Sequence, residues 1–158
     1  MKKEHGQKIM QVLLLLYSAC MFFLLFGREP YNLYDSYWES LKWNINLAPF
    51  FTIGSQWRAF VRAEYDIFSF AGINLIGNVI MFIPLGICLP ALWKRLRSYG
   101  RFAFCVAAII LAVELVQLFT LRGSFDIDDL ILNVVGASVG FAVFQVGSFI
   151  LEWGERKL

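Results

Sequence analysis

Four side chains that are costly in hydrocarbon interrupt long apolar runs of this chain: Asn74, Asn78, Glu114 and Asn133. An ionisable group in that setting is a candidate functional group, because a bare charge there must be paired, hydrated or protonated. Glu114 could serve as a general acid or base if burial tunes it. Gln117 shares its face at i,i+3. Arg122, about two turns further on, is either a structural ion-pair partner for Glu114 or a group that holds phosphate. Asn74 and Asn78 share a face at i,i+4, as site residues or as hydrogen-bonding glue between helices. Asp126, Asp128 and Asp129 open the last apolar run. They suit a helix N-cap and its positive end, or an acidic rim that holds a hard cation together with Glu114. No spacing here fixes a metal, so neither a metal nor a cofactor is expected.

These residues need helices to position them. The chain has 158 residues, 59% of them hydrophobic, and a mean hydropathy of +0.63. The apolar residues fall in four blocks, Ile9 to Phe26, Ile67 to Trp93, Phe102 to Leu121 and Leu130 to Leu151. Each reaches the roughly 20 residues that a helix needs to span a bilayer core. The expected fold is therefore all-α, a membrane bundle of four transmembrane helices. Asn78, Glu114 and Asn133 then lie about 9 to 12 Å inside the same end of the bundle. The last helix aligns Asp129, Asn133, Gly136, Gly140 and Gly147 within about 40° of one line. Gly136 and Gly140 form a GxxxG pair that lets helices approach closely. Pro84 and Pro90 interrupt backbone bonding in the second helix.

Lys and Arg near helix ends set orientation. Lys2, Lys3 and Lys8, then Lys94, Arg95, Arg97 and Arg101, then Arg156 and Lys157 mark the cytoplasmic side. Both termini are expected inside, with the loops Gly27 to Asp66 and Arg122 to Asp129 outside. The net charge of +2 is an orientation signal; no basic stripe for nucleic acid is present. The first helix reads as a retained anchor. Tyr17-Ser-Ala-Cys20 approximates a lipoprotein cleavage box but has Tyr where an aliphatic residue belongs. Cys20, Cys88 and Cys105 form no CxxC pair, which argues against a zinc or redox site. The single histidine, His5, lies in the inner tail, so no histidine chemistry is expected on the outer face.

The long outer loop is rich in aromatics, among them Tyr31, Tyr34, Tyr37, Trp38, Trp43 and Trp57. Such rings favour the headgroup layer, so the loop is either an aromatic belt or a lid that contacts ligand. Asp35 to Lys42 is expected to form a short interfacial helix, with Asn46-Leu-Ala-Pro-Phe50 as a break. A single membrane domain, residues 1–158, is expected. Residues 1–45 carry the anchor and loop start, 46–140 the core motifs, and 141–158 the end of the last helix and the tail.

The motifs form an ordered series. Asn46-Leu-Ala-Pro-Phe50 is followed by Asn74-Leu-Ile-Gly-Asn78 with Phe82, Pro84, Gly86 and Pro90. Glu114-x-x-Gln117, Arg122, Asp126-x-Asp128-Asp129, Asn133 and Gly136 complete it. This series resembles the VanZ-like family of small bacterial membrane proteins, from Asn46 to about Gly140. The resemblance implies a multi-pass protein of the bacterial cell membrane, in a family whose founding member lowers susceptibility to teicoplanin, a lipid-bearing glycopeptide antibiotic. It assigns no chemistry to the motif residues.

Three functions fit. The first is an envelope protein whose outward polar pocket (Asn74, Asn78, Glu114, Gln117, Arg122, Asp126, Asp128, Asp129, Asn133) binds a lipid-linked or amphiphilic ligand, or a partner. The absence of a nucleophile with a base favours it. The second is an intramembrane enzyme on a lipid-linked envelope precursor, with Glu114 as acid or base and the aspartates holding a cation or orienting water. The third is a transporter or channel, which at this size would need to oligomerise to line a pore. The topology has a direct test. In a cysteine-free background, Arg97→Cys is expected to label only from the cytoplasmic side; labelling only from outside reverses the orientation.

Overall fold

The computed structural model describes residues 2–27, 29–30 and 36–155, with only the backbone for residues 2, 3 and 152–155. Tyr31, Tyr34, Asp35, Arg156 and Lys157 lie outside the described residues. Four long helices carry the fold: α1 (Lys2–Phe26), α4 (Phe70–Leu92), α5 (Tyr99–Phe119) and α6 (Ile127–Glu155). All four are long and apolar enough to cross a membrane. The expected all-α membrane bundle is therefore what forms. Two short helices, α2 (Tyr37–Trp43) and α3 (Phe51–Arg62), occupy the long loop. A parallel two-residue bridge joins β1 (Ile45–Asn46) to β2 (Phe125–Asp126), pairing Ile45 with Phe125 and Asn46 with Asp126.

Local chemistry sets the helix ends. The second apolar block begins at Ile67, yet α4 begins at Phe70. Ser69 caps it by accepting the Gly72 N–H at 3.1 Å, and Asp66 turns the chain by accepting the Phe68 N–H at 2.9 Å. A helix leaves its last carbonyls without partners, and hydrocarbon offers none. Gly27 N–H returns to the Phe23 carbonyl at 2.8 Å, Gln117 donates to the Leu25 carbonyl at 3.1 Å, and the Arg122 guanidinium donates to the Phe26 carbonyl. The end of α5 is closed by Tyr37, whose hydroxyl donates to the Phe119 carbonyl at 2.9 Å, and by Thr120 on the Val116 carbonyl at 2.7 Å. At the other end Arg97 donates to the Pro90 carbonyl at 3.2 Å and lies over the Phe144 ring.

The core runs through α4, α5 and α6. Phe82, Phe102, Val106, Ile110, Ala137 and Phe141 are buried in one cluster, with Met21 from α1. Phe102 and Phe141 stack with centroids 4.6 Å apart. Tyr17 ties α1 to α4 by donating to the Met81 carbonyl at 2.9 Å. The closest helix contact is α4 on α6. A Cβ at Gly136 would collide with the Val79 carbonyl, one at Gly140 with the Ile83 carbonyl, and one at Gly86 with the Ala137 carbonyl. Gly86, known from the sequence only as a motif residue, is thus the third member of this contact. Gly147 does not belong to it; a Cβ there meets open space.

α3 forms where the sequence reading gives only an aromatic loop. Its signal is present, because Ile53, Trp57 and Phe60 follow a helical spacing after Pro49. Phe60 is buried and packs edge-on to Tyr65 with centroids 5.5 Å apart. The loop's other large rings stay exposed: Trp38, Trp43 and Trp57.

Gly136→Ala and Gly140→Ala are expected to destabilise the protein by about 1 to 3 kcal/mol through overpacking. Gly147→Ala should be neutral or slightly stabilising. Thermal unfolding in detergent and in bilayers measures the contrast; equal stability of all three variants would refute the contact.

Candidate functional site

The loop end of the bundle is organised by the first turn of α6. Asp126 is its N-cap, as expected, with Oδ1 accepting the Asp128 N–H at 2.8 Å. Its other oxygen accepts the Thr52 hydroxyl at 2.6 Å and the Asn46 amide at 3.2 Å. Asn46 also donates to Thr52 at 2.8 Å and accepts the Ala48 N–H at 3.1 Å, which fixes the turn before Pro49.

Asp128 is fully buried. Its oxygens accept the backbone N–H groups of Phe50 at 2.6 Å and Ile53 at 2.9 Å. These are the orphan donors at the start of α3, so a carboxylate from α6 caps a second helix. Phe50 takes a left-handed conformation, φ 62°, to enter that helix. Asp126 and Asp128 therefore bind the long loop to the bundle.

Deeper in lie Asp129, Asn78, Glu114 and Asn133. Asn78 donates to Asp129 at 2.6 Å, which fixes α4 against α6. Glu114 is 5% exposed. The Asp126 backbone N–H interacts with its carboxylate, and the charged groups facing it are Asp129 and Asp126. Its Oε2 has no hydrogen-bond partner. Asn133, one turn beyond Asp129 on the same face of α6, is also 5% exposed, and its Oδ1 has no partner either. Both orphan atoms are acceptors.

The remaining sequence candidates sit differently. Asn74 is half-buried one turn from Asn78. Gln117 and Arg122 turn toward α1 and close its carbonyls. The anticipated Glu114–Arg122 pair is thus replaced by carbonyl capping, because the open end of α1 takes the guanidinium. Among the described residues no group of three or more His, Cys, Asp or Glu is placed to hold a metal ion. Sequence reasoning missed Thr52, whose hydroxyl carries no signal of its own, and Ser40, buried on α2 with its hydroxyl unpartnered. The three cysteines are free.

Fold and site together define a multi-pass membrane protein with four spans and a buried, acceptor-rich polar cluster under a folded loop. The VanZ/LLP1 family model matches residues 14–150. The chain is also 30% identical to "Protein VanZ" from Enterococcus faecium over 153 residues, covering 97% of this chain and 83% of that protein. The chain belongs to the VanZ/LLP1 family. The match reaches beyond the motif series, taking in the second half of α1 and α6 as far as Ile150. No solved structure matches the chain.

Removing the Asp128 carboxylate has a defined consequence. Asp128→Ala should cost about 2 to 4 kcal/mol, as two buried N–H groups lose a charged acceptor. Hydrogen exchange should show the Phe50 and Ile53 amides losing protection; unchanged protection would contradict the cap.

Proposed function

We propose that the polar cluster is an outward-facing site that binds a lipid-linked or amphiphilic ligand, and that this binding modulates susceptibility to lipid-bearing glycopeptide antibiotics. The site residues are Asn74, Asn78, Glu114, Asp129 and Asn133, with Asp126 and Asp128 holding the loop above them and Gln117 and Arg122 at the edge. The observation that carries the reading is the pair of buried orphan acceptors, Glu114 Oε2 and Asn133 Oδ1. Leaving such atoms without a donor costs about 1 to 3 kcal/mol each. A ligand that brings N–H, O–H or ammonium groups relieves that cost. Membership of the VanZ/LLP1 family supports the link to antibiotic susceptibility. The Lys and Arg distribution supports an orientation with both termini cytoplasmic and the cluster near the outer face.

A second reading, an intramembrane enzyme acting on a lipid-linked envelope precursor, rests on Glu114 as acid or base. It is disfavoured by the engagement of Asp126 and Asp128, whose oxygens already serve Thr52, Asn46 and the start of α3. They are not free to hold a cation or orient water.

Glu114→Gln separates the two. If the site binds, ligand retention and the susceptibility phenotype should fall together, because the variant loses charge and turns an N–H₂ toward the ligand. An enzyme would lose the phenotype while keeping ligand bound. The readouts are antibiotic susceptibility of complemented cells and lipids co-purifying with each variant. Loss of phenotype with full retention would overturn the binding reading.

A further inference from the structure

The atoms left open in the polar cluster are of one kind. Glu114 Oε2 and Asn133 Oδ1 are buried acceptors without a donor among the described residues. Asp129 gives Oδ1 to the Asn78 amide at 2.6 Å, and no donor among the described residues is bonded to its Oδ2. Three helices contribute: Glu114 comes from α5, Asp129 and Asn133 from α6, and Asn78 closes the side toward α4. Asn133 lies on the line of α6 that packs on α4, between Asp129 one turn before it and Gly136, whose Cβ position abuts the Val79 carbonyl. Asp129 is half-buried whereas Glu114 and Asn133 are buried, so the cluster opens on the Asp129 side.

Charge in the cluster is equally one-sided. The charged groups acting on Glu114 are Asp129 and Asp126, and those acting on Asp129 are Asp126 and Asp128. Asp126 and Asp128 have their donors, from Thr52, Asn46 and the start of α3. Glu114 and Asp129 each have one, the Asp126 N–H and the Asn78 amide. Arg122 reaches away from them, to the Phe26 carbonyl. Two carboxylates so placed, between spanning helices, call for a cation.

Donor count separates the ligand classes. A phosphate or carboxylate would add acceptors and negative charge to a cluster that already has an excess of both. A hydroxyl brings one hydrogen, and its lone pairs would face the open acceptors. A hard metal ion needs a larger set of oxygens, and among the described residues no group of three or more His, Cys, Asp or Glu is placed to hold one. A primary ammonium carries three N–H donors, no acceptor and one positive charge. That is one donor for each open oxygen of Glu114, Asp129 and Asn133. Taking the cluster as the ligand site proposed above, we infer that its ligand is a protonated primary amine on a lipid or amphiphile, held by Glu114, Asp129 and Asn133. The ethanolamine headgroup of a membrane lipid and the amine of a soluble amphiphile both supply that group.

The test uses the full chain in phosphatidylcholine nanodiscs, a bilayer whose headgroups carry no N–H donor. Thermal unfolding is followed at neutral pH, where the amine is protonated, against hexylamine, hexanol and hexyltrimethylammonium. Hexylamine should bind wild type about tenfold more tightly than either other probe, the scale of one charge-assisted contact. Glu114→Gln should bring the three probes to near parity. Asn133→Leu, which removes an acceptor without touching the charge, should weaken the preference severalfold. Val139→Ala, at an exposed position on α6, should preserve it. Equal binding of hexanol and hexylamine, lost in Glu114→Gln, overturns the amine but leaves the cluster a ligand site. Binding of all three probes that is unchanged in Glu114→Gln and Asn133→Leu overturns both readings. Equal binding of hexylamine and hexyltrimethylammonium overturns the N–H contacts, and Glu114-dependent stabilisation by sodium chloride alone replaces the amine with an inorganic ion and overturns it. A second disc containing phosphatidylethanolamine separates the two sources. Weaker hexylamine binding there supports a membrane lipid as the amine, and unchanged binding supports a soluble amphiphile.

Discussion

Two buried carboxylates at the start of α6 hold the loop end together. Asp126 and Asp128 are 7% and 0% exposed, and charges so placed are tolerated only when donors surround them. The chain supplies those donors from a distance: Thr52, Asn46, Phe50 and Ile53 all come from the long loop. Satisfying the carboxylates therefore forces the loop to fold down onto the bundle. The short bridge between β1 and β2, and the left-handed entry of Phe50 into α3, follow from that constraint.

Below this frame the bundle meets a second demand. α4 and α6 approach so closely that backbone carbonyls fill the space beside Gly86, Gly136 and Gly140. That contact places Asn78 within reach of Asp129. Glu114 and Asn133 are buried beside the same face, each with one acceptor unspent. Asp126 and Asp128 are used up by the fold, whereas Glu114 and Asn133 retain capacity for something else. That difference gives the cluster its functional interest.

Much of this was legible in the sequence, for identifiable reasons. The four spans follow from apolar runs of bilayer length, and α2 from a short aromatic stretch, although its N-cap Ser36 makes no side-chain cap bond. Gly136 and Gly140 stood out because a 3.6-residue period aligns them with Asp129 and Asn133. Asp126 was readable as an N-cap because capping is local chemistry. Other features depend on partners remote in sequence. Asp128 serves α3 across 75 to 78 positions, and no local rule announces such a bond. Arg122 looked like a partner for Glu114 because the two share a helix face by arithmetic. The chain leaves α5 at Phe119, so that arithmetic stops applying and the guanidinium finds the end of α1. α3 is harder to read because its short apolar spacing lies within a loop that is aromatic throughout.

The central claim is that the long loop and the bundle form one folded unit through the carboxylates of α6. A double-mutant cycle between Thr52→Val and Asp126→Asn, read by reversible unfolding in a bilayer mimetic, tests it most directly. The account predicts a coupling of about 1 to 2 kcal/mol, as expected for a buried hydrogen bond to a charged acceptor. Additive effects, within about 0.3 kcal/mol, would mean that the loop does not dock on α6 and would contradict the account.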